Sequence, residues 1–377
     1  MYTFYLFIKQ DRGGINRYHP EAKPEIAACI LGGFMNNTLI NEKPVVPEQT
    51  GRGKRKKKKS KIKSILVFLI FEFIFMSVTT PLLVFYGPFN NVKRTITGIS
   101  WNSLSHQFIA KTFLSESAIA RILGDGFSIS DINTEAIKML NFGKKHSSNI
   151  QLFDVESANF QGKMLLIEDP TRIKVGYSNQ IPRAGETTSS IAKRSGAVAA
   201  INGGGFIDTK WAGTGGAPLG YIITGGKYIN GQSKEKNAKR DTIAFTDDGM
   251  LIVGKHSQND LEKYKVKEAI SFGPPLIVNG KPTINKGDGG WGISPRTVIG
   301  QKEDGSVLFL VIDGRSLKSF GATLREVQDI MLEYGAVNAA NLDGGSSATM
   351  YYEGKVINTP SDALGERSVP SVFMVMP

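Results

Sequence analysis

The stretch "TLREVQDIMLEYGAVNAANLDGGSS" (323–347) has the pattern of a helix, a strand and a polar loop in immediate succession. Thr323 and Glu326 have the spacing of a capping box, which predicts that a helix begins here. Gly335 is the kind of residue that most often ends a helix. A strand of small residues follows and leads to Asp343. The stretch therefore predicts a helix packed on a strand that ends beside an acid.

A second stretch, "ETTSSIAKRSGAVAAINGGG" (186–205), repeats the order of helix, glycine, small-residue strand and polar loop. This echo predicts two related halves, that is, an internal duplication. We expect the two strands to lie side by side, because both loops would then open at the same edge of the sheet. Asn202 and Asp343 would converge on one pocket there.

Short β-rich segments divided by glycine turns fill the chain from about residue 150. The segments around Asp247-Asp248-Gly249 and around Glu303-Asp304-Gly305 have the pattern of β-hairpins. Two helices, 186–195 and 323–334, interrupt these strands. Residues 151–377 are therefore predicted to form an α+β domain with a mixed β-sheet and few helices.

The segment "SILVFLIFEFIFMSVTTPLLVFY" (64–86) is apolar apart from Glu72. About 20 such residues suffice for a helix to cross a bilayer. The preceding run, 51–63, carries nine Lys or Arg residues and no acid, which holds that end of a span in the cytoplasm. We predict a single-pass protein of the cell membrane with a cytoplasmic N-terminus and an extracellular C-terminal domain. The alternatives are a buried core helix and a cleaved signal peptide.

The rest of the N-terminal half carries less information. Residues 1–63 are predicted to be a cytoplasmic tail, disordered and basic at its end, in which Met35 would make a natural start. Residues 87–150 are predicted to be a stalk with helical segments, including one helix over 103–123. Cys29 is the only cysteine, so an intramolecular disulfide is excluded.

The charge is concentrated in the basic run before the apolar segment. Without those nine residues the formal charge of +12 falls to +3. A nucleic-acid-binding domain would be expected to carry basic residues across a folded face. Nucleic acid is therefore not an expected partner.

Five stretches of the predicted domain carry side chains from which a site could be built. Glycines in 201–220 let backbone N–H groups approach an anion, and arginines at strand starts can grip a phosphate or carboxylate. Acids at strand ends are either turn residues or site acids. The candidates are Asn202, Gly203, Gly204, Asp208, Arg296, Asp313, Arg315, Asp343, Gly344, Gly345, Ser346, Ser347 and Arg367.

Acids beside arginines suit the cleavage of a bond next to a phosphate. The arginines would hold the anion, and two carboxylates would share the acid and base or nucleophile roles. The four histidines lie outside these motifs, so a zinc hydrolase site is not expected. No cofactor is required by the motifs, although a Ca²⁺ or Mg²⁺ site made of aspartates and carbonyl oxygens stays open.

The motifs "INGGGF", "PRTVIG", "LDGGSSATM" and "ERSVPSVFMV", in this order and spacing, resemble the phosphodiester glycosidase family, including its exopolysaccharide-biosynthesis-type bacterial members. The resemblance covers roughly 150–377. It implies hydrolysis of a sugar-1-phosphodiester at the glycosidic carbon. It also implies that Asn202, Arg296, Asp313, Asp343 and the 344–347 loop line the pocket. One position differs, since Gly205 stands where the family usually has an aromatic residue.

The sequence leaves three functions in competition. The first is a membrane-anchored glycosidase at the outer face, with Asp313 and Asp343 as catalytic residues and a cell-wall or exopolysaccharide glycan as substrate. The second is a non-catalytic glycan-binding or assembly protein on the same fold, because a fold alone does not establish turnover. The third is a metal-dependent phosphodiesterase that cuts the P–O bond.

Overall fold

The computed structural model describes residues 8–9, 17–18, 59–101, 107–124, 140, 142–143, 146–207 and 214–377. The chain forms two compact units, one of residues 21–89 and one of residues 1–20 with 90–377. The predicted disordered tail, 1–63, lies outside the described residues except for two short strands and the start of a helix.

The described part of the first unit is one long helix, α1 (Lys59–Tyr86). Its segment Lys63–Tyr86 has a mean hydropathy of 2.2, and its most apolar stretch is not buried, although Phe85 near its end is. By length and composition this segment could cross a membrane. At 1.5 Å per residue this segment is roughly 36 Å long, against about 30 Å for the hydrocarbon core of a bilayer. The predicted helix is confirmed, and the membrane crossing stays a prediction.

Three helices follow α1 in the sequence and belong to the second unit. The helix expected over 103–123 is interrupted, because the hydroxyl of Ser115 accepts a hydrogen bond from the N–H of Ala118 at 3.2 Å and starts a new helix. The helices of this unit are α2 (Asn90–Trp101), α3 (Gln107–Phe113), α4 (Glu116–Gly124), α5 (Thr188–Ser195), α6 (Gln258–Lys263) and α7 (Leu324–Glu333).

The helix signals read from the sequence are confirmed in α5 and α7. Thr187 caps α5, and Gly196 ends it in the left-handed conformation with φ of 69°. Thr323 and Glu326 form the expected capping box of α7. Two 3₁₀ turns also occur, at Pro170–Arg172 and Gly345–Ser347.

Strands contain more residues than helices in the described part of the second unit. They are β1 (Ile8–Lys9), β2 (Arg17–Tyr18), β3 (Ile150–Glu156), β4 (Gln161–Ile167), β5 (Ile173–Tyr177), β6 (Glu186–Thr187), β7 (Ala199–Asn202), β8 (Phe206–Ile207), β9 (Ala217–Pro218), β10 (Ile222–Thr224), β11 (Lys227–Asn230), β12 (Arg240–Thr246), β13 (Leu251–His256), β14 (Val266–Ile270), β15 (Pro275–Val278), β16 (Lys281–Pro282), β17 (Arg296–Lys302), β18 (Val307–Ile312), β19 (Ala336–Asn341), β20 (Met350–Tyr352), β21 (Lys355–Val356), β22 (Ser368–Val369) and β23 (Ser371–Val375).

Three larger sheets organise these strands. The seven-stranded sheet has the order β16-β15-β19-β17-β18-β4-β3. The C-terminal sheet, which contains the last strand, has the order β21-β20-β7-β23-β5, and the hairpin sheet has the order β11-β10-β14-β12-β13. The two predicted hairpins are confirmed as the β12–β13 and β17–β18 pairs.

The expectation of a mixed sheet is wrong, because every strand pair in the described part of the chain is antiparallel. α5 and α7 each connect two strands that run in the same direction, as the members of a parallel pair would. In both cases a third strand lies between the two. β23 separates β5 from β7, and β17 separates β18 from β19.

The same insertion explains the internal echo. Strand–α5–strand and strand–α7–strand have one topology, in which an antiparallel strand fills the gap left by the helical crossover. The expectation that the two small-residue strands lie side by side is wrong, since β7 and β19 belong to different sheets. Their alanines do lie beneath the helices, with Ala200 against Ile191 of α5 and Ala339 in one cluster with Met331 of α7.

One apolar core lies between the three sheets. Phe245, Phe309 and Phe373 are fully buried in it, and each comes from a different sheet. The rings of Phe245 and Phe373 meet edge to face with centroids 5.9 Å apart. On the outer faces, α7 covers the seven-stranded sheet, α5 covers the C-terminal sheet and α6 covers the hairpin sheet. The sheets are thus held as walls around a single interior.

Phe309→Ala should lower the free energy of unfolding by about 3–5 kcal/mol, because it leaves a cavity where the three sheets meet. Phe320→Ala is the matched control, since that ring is 56 % exposed and its loss should change stability by less than about 1 kcal/mol. The measurement is urea denaturation of the full chain in detergent, followed by tryptophan fluorescence. Equal effects of the two substitutions would contradict the shared core.

Candidate active site

The buried amide of Asn202 joins the two polar loops. Its Nδ2 donates a hydrogen bond to the carbonyl oxygen of Asp343 at 2.5 Å. Its Oδ1 accepts from the hydroxyl of Thr297 at 2.7 Å and from the N–H of Thr349 at 3.1 Å. The N–H of Asp343 donates in return to the carbonyl oxygen of Gly203 at 3.0 Å. The loops after β7 and β19 therefore converge as expected, although their strands lie in different sheets.

The convergence gives Asn202 a positioning role. The side chain is fully buried, and its oxygen and nitrogen are engaged by groups of the protein itself. The expectation of direct substrate contact by this residue stays a prediction. The hydrogen bonds show a different task, which is to fix the backbone that carries Asp343.

The carboxyl group of Asp343 has an unusual environment. Burial raises its pKa from 3.8 to about 6, against the opposing effects of a hydrogen bond with Ser347, the charge of Arg367 and the N–H of Gly344. A carboxyl group with this pKa changes its protonation state close to neutral pH. It is therefore suited to give or take a proton in a reaction near pH 6.

The second predicted acid, Asp313, lies at the end of β18. Its Oδ1 accepts hydrogen bonds from Nδ2 of Asn358 and from the N–H of Thr359, both at 2.9 Å. Burial raises the pKa of this carboxyl group, although these hydrogen bonds and Lys163 act in the other direction. Nδ2 of Asn358 also donates to the carbonyl oxygen of Ala348 at 3.1 Å. Asn358 thus links Asp313 to the turn that follows Asp343.

Two arginines bring positive charge to this turn. Nη1 of Arg315 donates to the hydroxyl of Ser346 at 2.9 Å. Arg367 lies over the ring of Phe206, with its guanidinium carbon 5.1 Å from the ring centroid. Partial burial and then the charge of Arg367 lower the pKa of Arg315, and the charge of Arg367 lowers that of Asp343. Two guanidiniums close enough to repel each other are suited to an anion that would neutralise both.

Arg296 is buried and supports the neighbouring loops. Its Nε donates to the carbonyl oxygen of Ala322 at 2.9 Å, and its Nη2 to those of Gly292 at 2.5 Å and Trp291 at 3.1 Å. Burial lowers its pKa to about 10, so the guanidinium is still charged at neutral pH. The sequence suggested that this arginine grips the substrate, whereas the structure uses two of its nitrogens to hold loop carbonyls.

The glycines of both loops allow close packing of the backbone. The N–H groups of Gly203 and Gly204 donate to the carbonyl and hydroxyl oxygens of Ser371, and that of Gly345 donates to the carbonyl of Pro295 at 2.9 Å. A Cβ at Gly344 would lie 2.7 Å from the same carbonyl oxygen. In this structure the N–H groups of Gly203, Gly204 and Gly345 donate to acceptors within the fold. Substrate binding by these glycines stays a prediction.

Asn358 and Ser371 were not identified from the sequence. Asn358 lies two residues after β21, and Ser371 opens the last strand. Both are ordinary polar residues whose importance depends on partners distant in the chain. Asp208 lies outside the described residues, and Ser347 is buried beside Asp343. Among the described residues, no three or more His, Cys, Asp or Glu side chains come together as a metal-binding group.

Comparison with known proteins agrees with the resemblance drawn from the motifs. Residues 195–376 match the family described as phosphodiester glycosidase. The chain is 30 % identical over 194 residues to N-acetylglucosamine-1-phosphodiester alpha-N-acetylglucosaminidase of Bos taurus, which covers 47 % of this chain and 35 % of that one. It is 32 % identical over 213 residues to the SPbeta prophage-derived uncharacterized protein YomE of Bacillus subtilis, covering 55 % and 31 %.

A solved structure shares the fold. The zebrafish N-acetylglucosamine-1-phosphodiester alpha-N-acetylglucosaminidase catalytic domain, auto-inhibited by its pro-peptide, superposes with a TM-score of 0.54 at 25 % identity. The match covers 63 % of this chain and 88 % of that one. By contrast, the chain spans only about a third of the length of the first two curated relatives.

Asn202→Ala should lower the free energy of unfolding by about 3 kcal/mol, because it leaves buried groups of Thr297, Thr349 and Asp343 without their partner. Asn179→Ala removes an exposed amide and is the control, with an expected change within about 0.5 kcal/mol. Both are measured by urea denaturation of the full chain in detergent. Equal stability of the two variants would refute the role of Asn202 as a link.

Proposed function

We propose that this chain, whose residues 195–376 match the phosphodiester glycosidase family, hydrolyses sugar-1-phosphodiesters. The observation that carries the proposal is an acid of raised pKa, Asp343, which lies within the electrostatic influence of Arg367, on a turn whose Ser346 is hydrogen-bonded to Arg315. The curated relatives of Bos taurus, Mus musculus and Homo sapiens are named for cleavage of an N-acetylglucosamine-1-phosphodiester. N-acetylglucosamine is therefore the first sugar to test.

The two arginines determine which catalytic role is left for the acid. A phosphate that leaves the anomeric carbon carries the electron pair of the broken C–O bond as negative charge, which Arg315 and Arg367 would stabilise. A leaving group stabilised in this way needs little protonation. The step that still needs catalysis is deprotonation of the attacking water, and a carboxylate with a pKa of about 6 is suited to it.

In the proposed reaction, Asp343 acts as the general base. It takes a proton from a water molecule whose oxygen bonds to the anomeric carbon, while the bond from that carbon to the phosphate oxygen breaks. The products are the free sugar and a phosphomonoester. We assign to Asp313 the stabilisation of the positive charge that develops on the sugar ring, with Asn358 and Thr359 holding one of its oxygens in place.

The location of the substrate follows from the proposed anchor. A span at 63–86 preceded by the basic run would place the domain outside the cell, next to the envelope. Phosphodiester-linked sugars occur there in cell-wall and exopolysaccharide glycans. The proposed substrate is therefore a glycan of this kind, and the lipid bilayer is the second partner.

Asp343→Asn should reduce release of free sugar from a sugar-1-phosphodiester by about 10³-fold or more, since the base is lost. For the unaltered chain, kcat/KM should fall about tenfold per pH unit below pH 6, because protonation removes the base. A fall above pH 6 instead would assign Asp343 as general acid. Sugar release is measured with the full chain in detergent, and Asp247→Asn, an exposed turn residue, is the control.

The same substitution has a stability signature that separates catalysis from folding. The folded pKa of about 6 exceeds the unfolded value near 3.8, so ionisation opposes folding. The stability that the folded state keeps while the Asp343 carboxyl is protonated is fully present below about pH 4, and it is lost as pH rises through 6. At pH 7 the free energy of unfolding of Asp343→Asn should therefore exceed that of the unaltered chain by up to about 3 kcal/mol. The measurement is urea denaturation, in which the variant should unfold at the higher urea concentration.

Labelling of the single cysteine of the chain, Cys29, tests the proposed orientation in the membrane. A membrane-impermeant maleimide added to intact cells should leave Cys29 unlabelled and should label it after lysis. The matched control is Leu317→Cys in a Cys29→Ser chain, because Leu317 is 97 % exposed in the domain and should react in intact cells. Labelling of Cys29 from outside would reject the predicted orientation.

A further inference from the structure

A concave surface lies next to the loops of the candidate active site. It is a groove of about 500 Å³, called here the aromatic groove, whose floor and walls come from the hairpin sheet and from the segments 271–275 and 291. Its chemically distinctive side chains are Arg240, Asp241, Lys255, Phe272 and Trp291. None of them is used by the proposed reaction.

Three contacts join the wall of this groove to the site. The ring of Phe272 lies 2.7 Å from the position that a Cβ at Gly205 would take, three residues after Asn202. The carbonyl of Trp291 accepts the hydrogen bond from Arg296. The groove is therefore continuous with the backbone that carries the site.

The third contact links the groove to the loop of Asp343 itself. Nδ2 of Asn341 donates to the carbonyl oxygen of Gly273 at 3.2 Å, and Asn341 stands two residues before Asp343. This packing also explains why residue 205, the third glycine of "INGGGF", has no side chain, because a side chain there would collide with Phe272. An aromatic ring thus lies beside position 205, but it is supplied by residue 272 and faces the groove.

The aromatic side chains offer faces suited to a sugar ring. Phe272 and Trp291 are partly exposed, and their rings meet edge to face with centroids 6.4 Å apart. Two aromatic planes at an angle form a corner of rigid apolar surface whose ordering costs little conformational entropy. The C–H face of a pyranose ring is apolar enough to pack in such a corner.

The charges of the groove favour an anion. Arg240 and Lys255 are cationic, and Asp241 is the one acid among the side chains that line it. Asp241 and Lys255 are opposite each other in the β12–β13 pair. This arrangement leaves a net positive charge with Arg240 as the additional cation, as a phosphate requires.

We propose that the aromatic groove is a subsite for the sugar phosphate unit next to the bond that is cleaved. This inference rests on the proposed function and adds a binding site for a second sugar phosphate unit of the glycan. The sugar ring of the neighbouring unit packs against Phe272 and Trp291, and its phosphate pairs with Arg240 and Lys255. The chain then cleaves an oligomeric phosphodiester glycan in preference to an isolated sugar-1-phosphodiester.

The test compares two substrates on the same protein, the full chain in detergent. One is the methyl phosphodiester of N-acetylglucosamine 1-phosphate, and the other is a synthetic oligomer of N-acetylglucosamine 1-phosphate repeats. In Arg240→Ala/Lys255→Ala and in Trp291→Ala, the ratio of kcat/KM for the oligomer to that for the methyl diester should fall about tenfold. A partly unfolded preparation lowers both rates equally, so the ratio reports the subsite.

Lys281→Ala is the matched control, because it removes one exposed positive charge from the seven-stranded sheet outside the groove and should leave the ratio unchanged. Ratios in the groove variants equal to that of the unaltered chain would overturn the subsite and leave the proposed function standing.

Failure of the unaltered chain to hydrolyse either substrate would instead reject the proposed function. Calorimetric titration of the oligomer into Asp343→Asn then decides the subsite alone. Affinity that falls about tenfold on adding Arg240→Ala/Lys255→Ala supports it, and equal or absent binding overturns it.

Discussion

The hydrogen bonds of one buried amide hold the candidate site together. Asn202 ends a strand of one sheet, accepts from Thr297 in another, and fixes the backbone on which Asp343 stands. A polar side chain with no access to water must satisfy its hydrogen-bonding groups within the protein, so its position is tightly determined. The two sheets cannot shift relative to each other without breaking these bonds. The position of the acid therefore follows from the packing of the whole interior.

The reactivity of the site follows from the same burial. Removing the carboxyl group of Asp343 from water penalises its charged form and raises its pKa, while Arg367 limits the rise. The protein thus holds an acid whose ionisation opposes folding beside cations that repel each other. Such an arrangement lowers stability in the absence of a ligand. An anionic substrate that neutralises the arginines would relieve part of this repulsion, which is the physical basis for assigning the site to a phosphodiester.

The sequence predicted local features well and partners distant in the chain poorly. The capping box at Thr323, the left-handed Gly196 and both hairpins depend on residues a few positions apart, and all were found. The side-by-side placement of β7 and β19 failed because other strands, distant in sequence, insert beside them. The acceptors of the glycine N–H groups, Ser371 and Pro295, were missed because they are remote in the sequence. Long-range pairing, which periodicity does not encode, decided each of these errors.

The central claim is that the site breaks the bond between carbon and oxygen rather than that between phosphorus and oxygen. Hydrolysis of N-acetylglucosamine 1-phosphate methyl diester in ¹⁸O-labelled water, followed by mass spectrometry of both products, tests it most directly. Attack of water at the anomeric carbon places the label on the released sugar and leaves the phosphomonoester unlabelled. Label in the phosphate would contradict the glycosidase mechanism and would favour a phosphodiesterase, whether it is found in sugar 1-phosphate released with methanol or in methyl phosphate released with the free sugar.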